Sequence, residues 1–309
     1  MTPGSPPRVL VDATSVPADR GGVGRYVDGL LGALTKVIGS GVELAVVALR
    51  TDVERYGRML PAAEVIAAPA AVTHRPARLA WEQTGLPLLA QQVGAEVLHS
   101  PFYTCPLRAG CPVTVTVHDA TFFTEPEHYD KSRRTFFRSA IKTALRRAER
   151  VIVPSKATRD ELIRLLDADP TRIDVAYHGV DHAAFHPPTD EEKARVRARL
   201  GLGGSDYVAF LGAKEPRKNV PNLIRGWAEA VGDRTDPPAL VIAGGRGTTT
   251  TSTARSPTCR PTSACSAPVT CATPTCPASS AARLSRPTRR TARGSACRSW
   301  RRWPARRPC

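Results

Sequence analysis

The sequence predicts an α/β protein with doubly wound parallel sheets, because short Val/Ile/Leu runs alternate with longer amphipathic stretches from Val9 to Gly244. This alternation is typical of βαβ units, whose helices cover both faces of a sheet. A chain of 309 residues is long enough for two domains, and a second α/β unit begins at Tyr207. Strands are predicted at residues 9–11, 43–49, 97–99, 113–117, 150–153, 174–177, 207–211 and 240–243. Helices are predicted near residues 24–35, 78–92, 132–149, 155–166, 190–200 and 220–231.

The pattern breaks after Asp181, at residues 185–188, and Thr189 with Glu192 then offers a capping box for a charged helix. We therefore predict an N-terminal Rossmann-like domain over residues 1–188 and a partial second domain over residues 189–247. The second domain has two predicted strands, which would leave apolar faces and edges uncovered. We expect residues 248–309 to form a disordered tail.

The formal charge of +16 does not describe the whole chain. The tail holds 12 arginines and no acidic residue, so the body, residues 1–247, carries only +4. The isoelectric point is therefore no evidence that the fold binds nucleic acid. The chain has no apolar run long enough to span a bilayer and no apolar leader at its start, so we expect it in the cytoplasm. Cys105 and Cys111 lack the spacing of a zinc site and are interpreted as reduced thiols.

A glycine-rich stretch, residues 21–26, follows the first strand and opens a helix. Glycines at this position let backbone N–H groups approach a phosphate or a sugar, and Arg25 in the first turn favours an anion nearby. A plain strand-to-helix turn is the alternative. The spacing differs from that of the dinucleotide-binding fingerprint, so a nicotinamide or flavin dinucleotide is not predicted.

His118 and Asp119 follow an apolar strand, at the edge where open α/β sheets bind their ligands. The imidazole could hydrogen-bond a sugar hydroxyl or transfer a proton, with Asp119 orienting it. A His-Asp pair that only closes a loop is the alternative. Further along, Arg217 and Lys218 precede a helix, where two cations suit a diphosphate better than they suit the helix dipole. A solvated surface turn is the alternative there.

The helix over residues 131–150 is basic and amphipathic. Such a helix can lie on an anionic membrane, which would fit a substrate linked to a lipid. A helix that covers the sheet with its apolar face and exposes its charges is the favoured interpretation.

Taken together, these stretches resemble the retaining glycosyltransferases of family 4, which have the GT-B architecture of two Rossmann-like domains. The resemblance covers residues 8 to about 247 and implies transfer of a hexose from a nucleotide-diphosphate sugar to a polar acceptor. It implies that His118 lies beside the transferred sugar, with Asp119 next to it, and that no metal or other cofactor is needed because cations replace the metal. By the same resemblance, the residues expected to bind the donor diphosphate are Arg217, Lys218, Gly22 and Gly24. The residues expected to bind the acceptor are Gly21, Arg25 and Tyr26.

The chain departs from the family after Asn219, because the E-x7-E segment that holds the donor is absent. Sixty of the 62 tail residues are Ala, Ser, Thr, Pro, Arg, Cys, Trp or Gly, whose codons carry G or C at the middle position. A frame slip near Gly247 in GC-rich DNA would produce this composition. Shifted by one base, residues 293–304 can encode E-G-F-G-L-P-V-L-E-A-M-A. We therefore expect a truncated donor domain and little or no activity in this chain.

Four alternatives stay open. The tail could be a genuine basic segment that binds polyanions. The protein could be a non-catalytic remnant or a glycan-binding module. A sugar-nucleotide epimerase of the same architecture is the alternative among enzymes.

Overall fold

A computed structural model describes residues 6–16, 20–36, 41–213 and 215–244. The chain divides into two compact units, Met1–Pro187 and Pro188–Cys309, and each is described by itself. Lys214, in the stretch before the predicted diphosphate-binding cations, lies outside the described residues. The tail expected to be disordered, residues 248–309, also lies outside them.

The first unit is built on one parallel sheet. Its strands are β1 (Arg8–Asp12), β2 (Glu43–Ala48), β3 (Glu64–Ala67), β4 (Val97–Ser100), β5 (Val113–Thr116), β6 (Arg150–Val153) and β7 (Ile173–Val175). They lie in the order β3-β2-β1-β4-β5-β6-β7, and neighbouring strands are all parallel. The chain runs outward from β1 in one direction and from β4 in the other. A topological switch point therefore lies between β1 and β4, and ligands of open α/β sheets bind at the carboxyl ends of such strands.

Helices cover both faces of this sheet. They are α1 (Gly21–Leu34), α2 (Arg50–Met59), α3 (Arg75–Gln92), the short α4 (Thr121–Thr124), α5 (Lys131–Arg147) and α6 (Lys156–Leu166). Consecutive residues of β1 serve different cores, since Leu10 packs into one buried cluster and Val11 into another. This follows from the alternation of side chains along a strand. The sheet is thus apolar on both sides, as the sequence predicts.

Helix α5 packs on the sheet through the apolar stripe that the sequence shows. Phe137, Ile141 and Ala144 are buried in the larger core cluster, whereas Lys142 and Arg146 are exposed. In the structure, α5 thus covers the sheet with its apolar face, as the favoured interpretation of the sequence predicts. The apolar stripe cannot also insert into a membrane, so any membrane contact of α5 would have to be electrostatic.

Four elements differ from the sequence prediction by more than a shift of their ends, and the first is the short helix α4, which was not predicted. Strand β3 was not predicted, because it is a four-residue edge strand that begins with Glu64. Helix α2 was not predicted, because it is strongly polar and Tyr56 is its one buried residue. Helix α1 begins at Gly21, so the predicted glycine-rich loop is instead the first turn of a helix.

The second unit contains α7 (Asp190–Leu200), β8 (Tyr207–Leu211), α8 (Val220–Val231) and β9 (Ala239–Ala243), with β8 and β9 parallel. Thr189 and Glu192 form the predicted capping box at the start of α7. Helix α8 covers one face of the two strands through a small core cluster of Val220, Leu240 and Ile242. On β8, Val208 is 47% exposed and Leu211 is 70% exposed. Apolar side chains of this small sheet are thus left uncovered, as the sequence predicts.

Candidate active site

The carboxyl edge of the first unit's sheet brings two of the predicted site residues together. Tyr26 lies on α1, which follows β1, and His118 lies just after β5. Their rings meet edge-on, with centroids 5.0 Å apart and an interplanar angle of 85°. Because β1 and β5 flank β4 in the sheet, this pair lies beside the topological switch point.

One ring nitrogen of His118 is held by the backbone. Nε2 lies 2.8 Å from the carbonyl oxygen of Pro101, which can only accept a hydrogen bond, so Nε2 carries the proton. Burial lowers the pKa of His118 and the nearby His178 lowers it further, against the opposing effects of the Pro101 hydrogen bond and the Asp119 carboxylate. The imidazole is therefore neutral at pH 7 and keeps a lone pair on Nδ1. A neutral imidazole of this kind can accept a hydrogen bond from a sugar hydroxyl.

Asp119 does not play the part that the sequence suggests. Its carboxylate accepts hydrogen bonds from the Thr121 hydroxyl at 2.8 Å and from the Thr121 backbone N–H at 3.3 Å. Burial raises the pKa of Tyr103 well above its ordinary value, and the negative charge of Asp119 adds to this. The expectation that Asp119 orients His118 is therefore wrong in this structure, because the Pro101 carbonyl orients the ring. Asp119 instead fixes the chain just after β5.

Aromatic rings surround His118. Tyr103 meets it edge-on at 5.6 Å and Phe102 lies tilted at 6.0 Å, both from the loop after β4. His178 lies 6.3 Å from His118 and 4.9 Å from Tyr26, between centroids. Phe102 and His178, in the turns that follow β4 and β7, are not among the predicted site residues. The structure places both rings against the imidazole, where they restrict its rotation.

A chain of buried polar groups anchors Tyr26. Its hydroxyl lies 3.0 Å from the Thr116 hydroxyl, which lies 3.4 Å from Nε2 of His99. Nδ1 of His99 in turn lies 2.7 Å from the Thr114 hydroxyl. Burial, with a smaller contribution from His118, lowers the pKa of His99 to about 4, so this imidazole is neutral. Tyr26 was predicted to bind the acceptor, and its hydroxyl is engaged with the sheet instead of standing free.

The three glycines at the start of α1 have different surroundings. Gly24 is buried, and a Cβ added there would lie 2.5 Å from Cβ of Arg20 and 3.3 Å from Cγ1 of Val16. A Cβ added at Gly22 would meet nothing within 4 Å. Gly24 is therefore explained by close packing, whereas Gly21 and Gly22 are exposed at the helix start, where a ligand could approach.

Two arginines near the start of α1 differ in their contacts. Arg25 is exposed and has no hydrogen bond or ion pair with the part of the chain that the structure describes. Arg20 has a left-handed backbone, with φ of 56°, and its guanidinium binds the carboxylates of Asp28 and Asp52 and the hydroxyl of Tyr56. Burial raises the pKa of Asp28, but hydrogen bonds from Arg20 and Arg55 outweigh it and lower this pKa. Arg20 thus ties α1 to α2, which the sequence does not reveal because its partners lie 8 to 36 positions away.

A second buried network lies at the carboxyl end of β1. Arg78 of α3 lies 3.9 Å from the carboxylate of Asp12 and donates to Glu82 at 3.0 Å. The Thr104 hydroxyl donates to the same Glu82 oxygen at 2.6 Å. The hydroxyl of Ser100, at the end of β4, is buried without a partner among the described residues. Sequence reasoning missed this network, and the unpaired hydroxyl marks the switch point as a place where a polar ligand could be bound.

The predicted diphosphate-binding cations lie in the second unit. Arg217 and Lys218 are exposed in a single helical turn, Pro216–Lys218, directly before α8 begins. Nε of Arg217 donates to Glu215 at 2.7 Å, and Asn219, at the helix start, has a left-handed backbone with φ of 48°. Both cations thus lie beside the N-terminus of α8, a place that suits an anion.

Within the described ranges, no group of three or more His, Cys, Asp or Glu side chains could hold a metal ion. No helix among these residues is long and apolar enough to cross a bilayer. The expectations that no metal is needed and that the protein is cytoplasmic stay predictions.

The sequence of residues 20–184 matches the profile of glycosyltransferase family 4, and this segment contains Tyr26, His118 and His178. The chain belongs to glycosyltransferase family 4. An O-antigen chain mannosyltransferase B from Escherichia coli is 28% identical over 151 residues, which are 49% of this chain and 39% of that protein. A D-inositol 3-phosphate glycosyltransferase from Mycobacteroides abscessus is 37% identical over 101 residues, 32% of this chain and 21% of that protein. The chain thus matches less than half the length of both family members.

Two solved structures show the fold of this family member. The Anabaena protein HepE, in complex with UDP-glucose, has a TM-score of 0.55 at 18% identity. The match covers 77% of this chain and 60% of the HepE chain. WaaG, a glycosyltransferase involved in lipopolysaccharide biosynthesis, has a TM-score of 0.53 at 13% identity. The match covers 78% of this chain and 64% of the WaaG chain. The predicted α/β fold of the GT-B type is confirmed.

Proposed function

We propose that the protein is a hexosyltransferase that uses a nucleoside-diphosphate sugar as its donor and retains the anomeric configuration. The acceptor is a glycan, a lipid-linked sugar or a small polar molecule. The observation that carries the proposal is the His118 imidazole at the carboxyl edge of a family 4 sheet, with Nε2 on the Pro101 carbonyl so that Nδ1 is left to accept a hydrogen bond. HepE, solved with UDP-glucose, supports a nucleotide-sugar donor for this fold.

His118 acts as a hydrogen-bond acceptor and not as an acid. Because Nε2 already donates to the Pro101 carbonyl, only Nδ1 can accept a hydrogen bond from a sugar hydroxyl. Tyr26 packs edge-on against the ring and keeps it in place, since the Tyr26 hydroxyl is itself held by Thr116. The transferred sugar is thereby oriented by a group that carries no charge at neutral pH.

Arg217 and Lys218 supply the charge on the donor side. In the proposed reaction an acceptor oxygen attacks the anomeric carbon on the face from which the diphosphate leaves. The bond between that carbon and the diphosphate breaks, its electron pair stays on the diphosphate oxygen, and a diphosphate oxygen takes the acceptor proton. The two cations and the N-terminus of α8 stabilise the charge on the leaving group.

This chain is expected to have little or no such activity. The E-x7-E segment is absent after Asn219, where Glu229, Asp233 and Asp236 are the remaining acidic residues. The exposed apolar residues of β8 support an incomplete donor domain. We also propose that α5 contacts the anionic inner surface of a membrane through its exposed cationic side chains.

The purified full-length chain is incubated with UDP- and GDP-linked hexoses, and release of the nucleotide and formation of a glycoside are measured. We expect neither product from this chain. A version with its reading frame restored after Gly247 should turn over one of these donors, and His118→Ala should reduce its rate at least about tenfold, the value of one lost hydrogen bond.

The exposed Lys36→Gln variant of the restored enzyme is the control and should keep full activity. Turnover by the original chain would disprove its inactivity. A restored enzyme that His118→Ala leaves unchanged would disprove the role of His118. Glycan binding without turnover by either version would favour the non-catalytic alternative.

A further inference from the structure

A groove opens on the side of the first unit that faces away from His118. It lies where α5 and α6 end and the chain enters β6 and β7, at the amino edge of the parallel sheet. Its volume is about 670 Å³. The lining residues used below are Lys142, Leu145, Arg146, Arg164, Leu166 and Arg172. Because all seven strands are parallel, this edge is opposite to the one that carries the candidate active site.

The groove gathers cations that have few partners. Lys142, Arg146 and Arg164 are exposed and make no hydrogen bond or ion pair with a described residue. Arg172 is half-buried and donates to the backbone carbonyl of Ala148. Four positive charges therefore face one concave space while three of their side chains remain available to a ligand.

Among the described residues, the two carboxylates at the rim form no hydrogen bond or ion pair with these cations, although the charge of Arg172 contributes to the lowered pKa of Asp169. Asp169 accepts hydrogen bonds from the Thr171 hydroxyl at 2.7 Å and from its backbone N–H at 2.9 Å, and the hydroxyl bond is the main cause of its lowered pKa. Asp167 ends α6 with a left-handed backbone. The helix dipoles account for Arg146 and Arg164, because cations are favourable in the last turns of α5 and α6. They do not account for Lys142 and Arg172 converging on the same groove.

The groove also has an apolar part. Leu145 and Leu166 are half-buried and lie among the cations. The volume lies within the range of small-molecule sites and exceeds that of a single phosphate ion. A smaller cavity of about 290 Å³, which also contains Arg147, shares Arg146 with this groove and extends the cationic surface.

We propose that this groove binds a phosphate-bearing ligand, with its phosphate oxygens on Lys142, Arg146 and Arg164 and its apolar part against Leu145 and Leu166. Arginine guanidinium groups match phosphate oxygens in geometry, and lysine adds a point charge. The same chemistry is offered by a soluble phosphorylated molecule and by an anionic lipid headgroup. The site uses none of the residues assigned to sugar transfer, and only its lipid-headgroup form rests on the membrane contact of α5 that the proposed function includes.

Binding of pyrophosphate to the full chain is measured by isothermal titration calorimetry at low salt. The double variant R146Q/R164Q should bind at least about tenfold more weakly than the wild type, because two charge-assisted hydrogen-bonding groups are lost. The matched control R50Q/R199Q removes two exposed arginines elsewhere and leaves the arginines of residues 248–309 in place. The control should bind like the wild type. Circular dichroism confirms that each variant is folded, and K142Q/R164Q replaces any variant that is not.

Co-sedimentation with vesicles distinguishes the two sources of phosphate. Vesicles of phosphatidylcholine alone are compared with vesicles that contain phosphatidylglycerol. A loss of pyrophosphate binding confined to the groove variant supports a soluble ligand, and a loss of vesicle binding confined to it supports a lipid headgroup. Equal losses in the groove and control variants, or no loss in either, would overturn the proposal, because binding would then come from charge in general.

Discussion

At the scale of single residues, two imidazoles with lowered pKa values define the candidate site. His118 has one nitrogen fixed by Pro101, and His99 on β4 has both nitrogens near threonine hydroxyls. His99 is 6% exposed, and burial is the main cause of its low pKa. Protonation of either ring would place a charge where little water can solvate it.

The first prediction concerns the pH dependence of stability. The pKa of His99 is about 4 in the folded protein against 6.5 as its ordinary value, so the unfolded chain binds more protons between these values. The free energy of unfolding should therefore be unaffected by His99 above pH 6.5 and should fall as the pH falls towards 4, by roughly 3 kcal/mol in full. Urea unfolding of the wild type and of His99→Gln at pH 7, 5.5 and 4 measures this difference.

The exposed His182→Gln variant is the control and should follow the wild type at every pH. A direct measurement is the NMR titration of the His99 ring. If the difference in unfolding free energy between wild type and His99→Gln stayed constant from pH 7 to pH 4, His99 would not be held neutral by burial.

At the scale of elements, the start of α1 decides how close this helix comes to the chain before it. Gly24 leaves no room for a methyl group beside Arg20 and Val16, whereas Gly22 faces open space two residues earlier. Arg20 is fixed by Asp28, Asp52 and Tyr56 and cannot easily move away. The same substitution, glycine to alanine, should therefore destabilise the protein at Gly24 but not at Gly22.

The second prediction is that Gly24→Ala destabilises the protein by about 1 to 3 kcal/mol, because the added Cβ overlaps fixed atoms. Gly22→Ala should leave stability unchanged or raise it by up to about 1 kcal/mol, since alanine favours a helix over glycine. The stability change of each variant is measured from the midpoint of its urea unfolding curve, provided that the slope of unfolding free energy against urea concentration is the same for both variants. Similar midpoints for the two variants would contradict the close packing at Gly24.

The elements also show what the sequence can and cannot predict. Apolar runs with buried faces, such as β1 and β5, are placed within a residue or two because burial sets their composition. Strand β3 and helix α2 are not predicted from the sequence, because β3 is a short edge strand and α2 buries only Tyr56. His118 is predicted as a site residue from its position after a strand. The Pro101 carbonyl that orients it is a backbone group 17 positions away, which no residue type in the sequence indicates. The network of Arg78 with Asp12 and Glu82 also depends on tertiary contact.

At the scale of the whole molecule, the two units differ in how much apolar surface they bury. The first has two large core clusters on opposite faces of a seven-stranded sheet. Among the described residues, the second has one small cluster, in which α8 packs against β8 and β9, and Val208 and Leu211 are exposed. Since burial of apolar surface is the main stabilising contribution, the second unit should open locally at a much lower free energy.

The last prediction is therefore a difference in amide hydrogen exchange within one chain. Peptides that contain residues 207–211 and 239–243 should exchange at least about 100-fold faster than peptides that contain β4 and β5, after correction for intrinsic rates. Mass spectrometry of the full chain at pH 7 measures both sets in one sample, and the same peptides in denaturant provide the reference. Equal protection of the two sets would mean that β8 and β9 are stabilised by contacts beyond the small cluster around Val220. A second unit that opens this readily could not hold Arg217 and Lys218 in a fixed position for a diphosphate, which is the physical reason to expect this chain to be inactive.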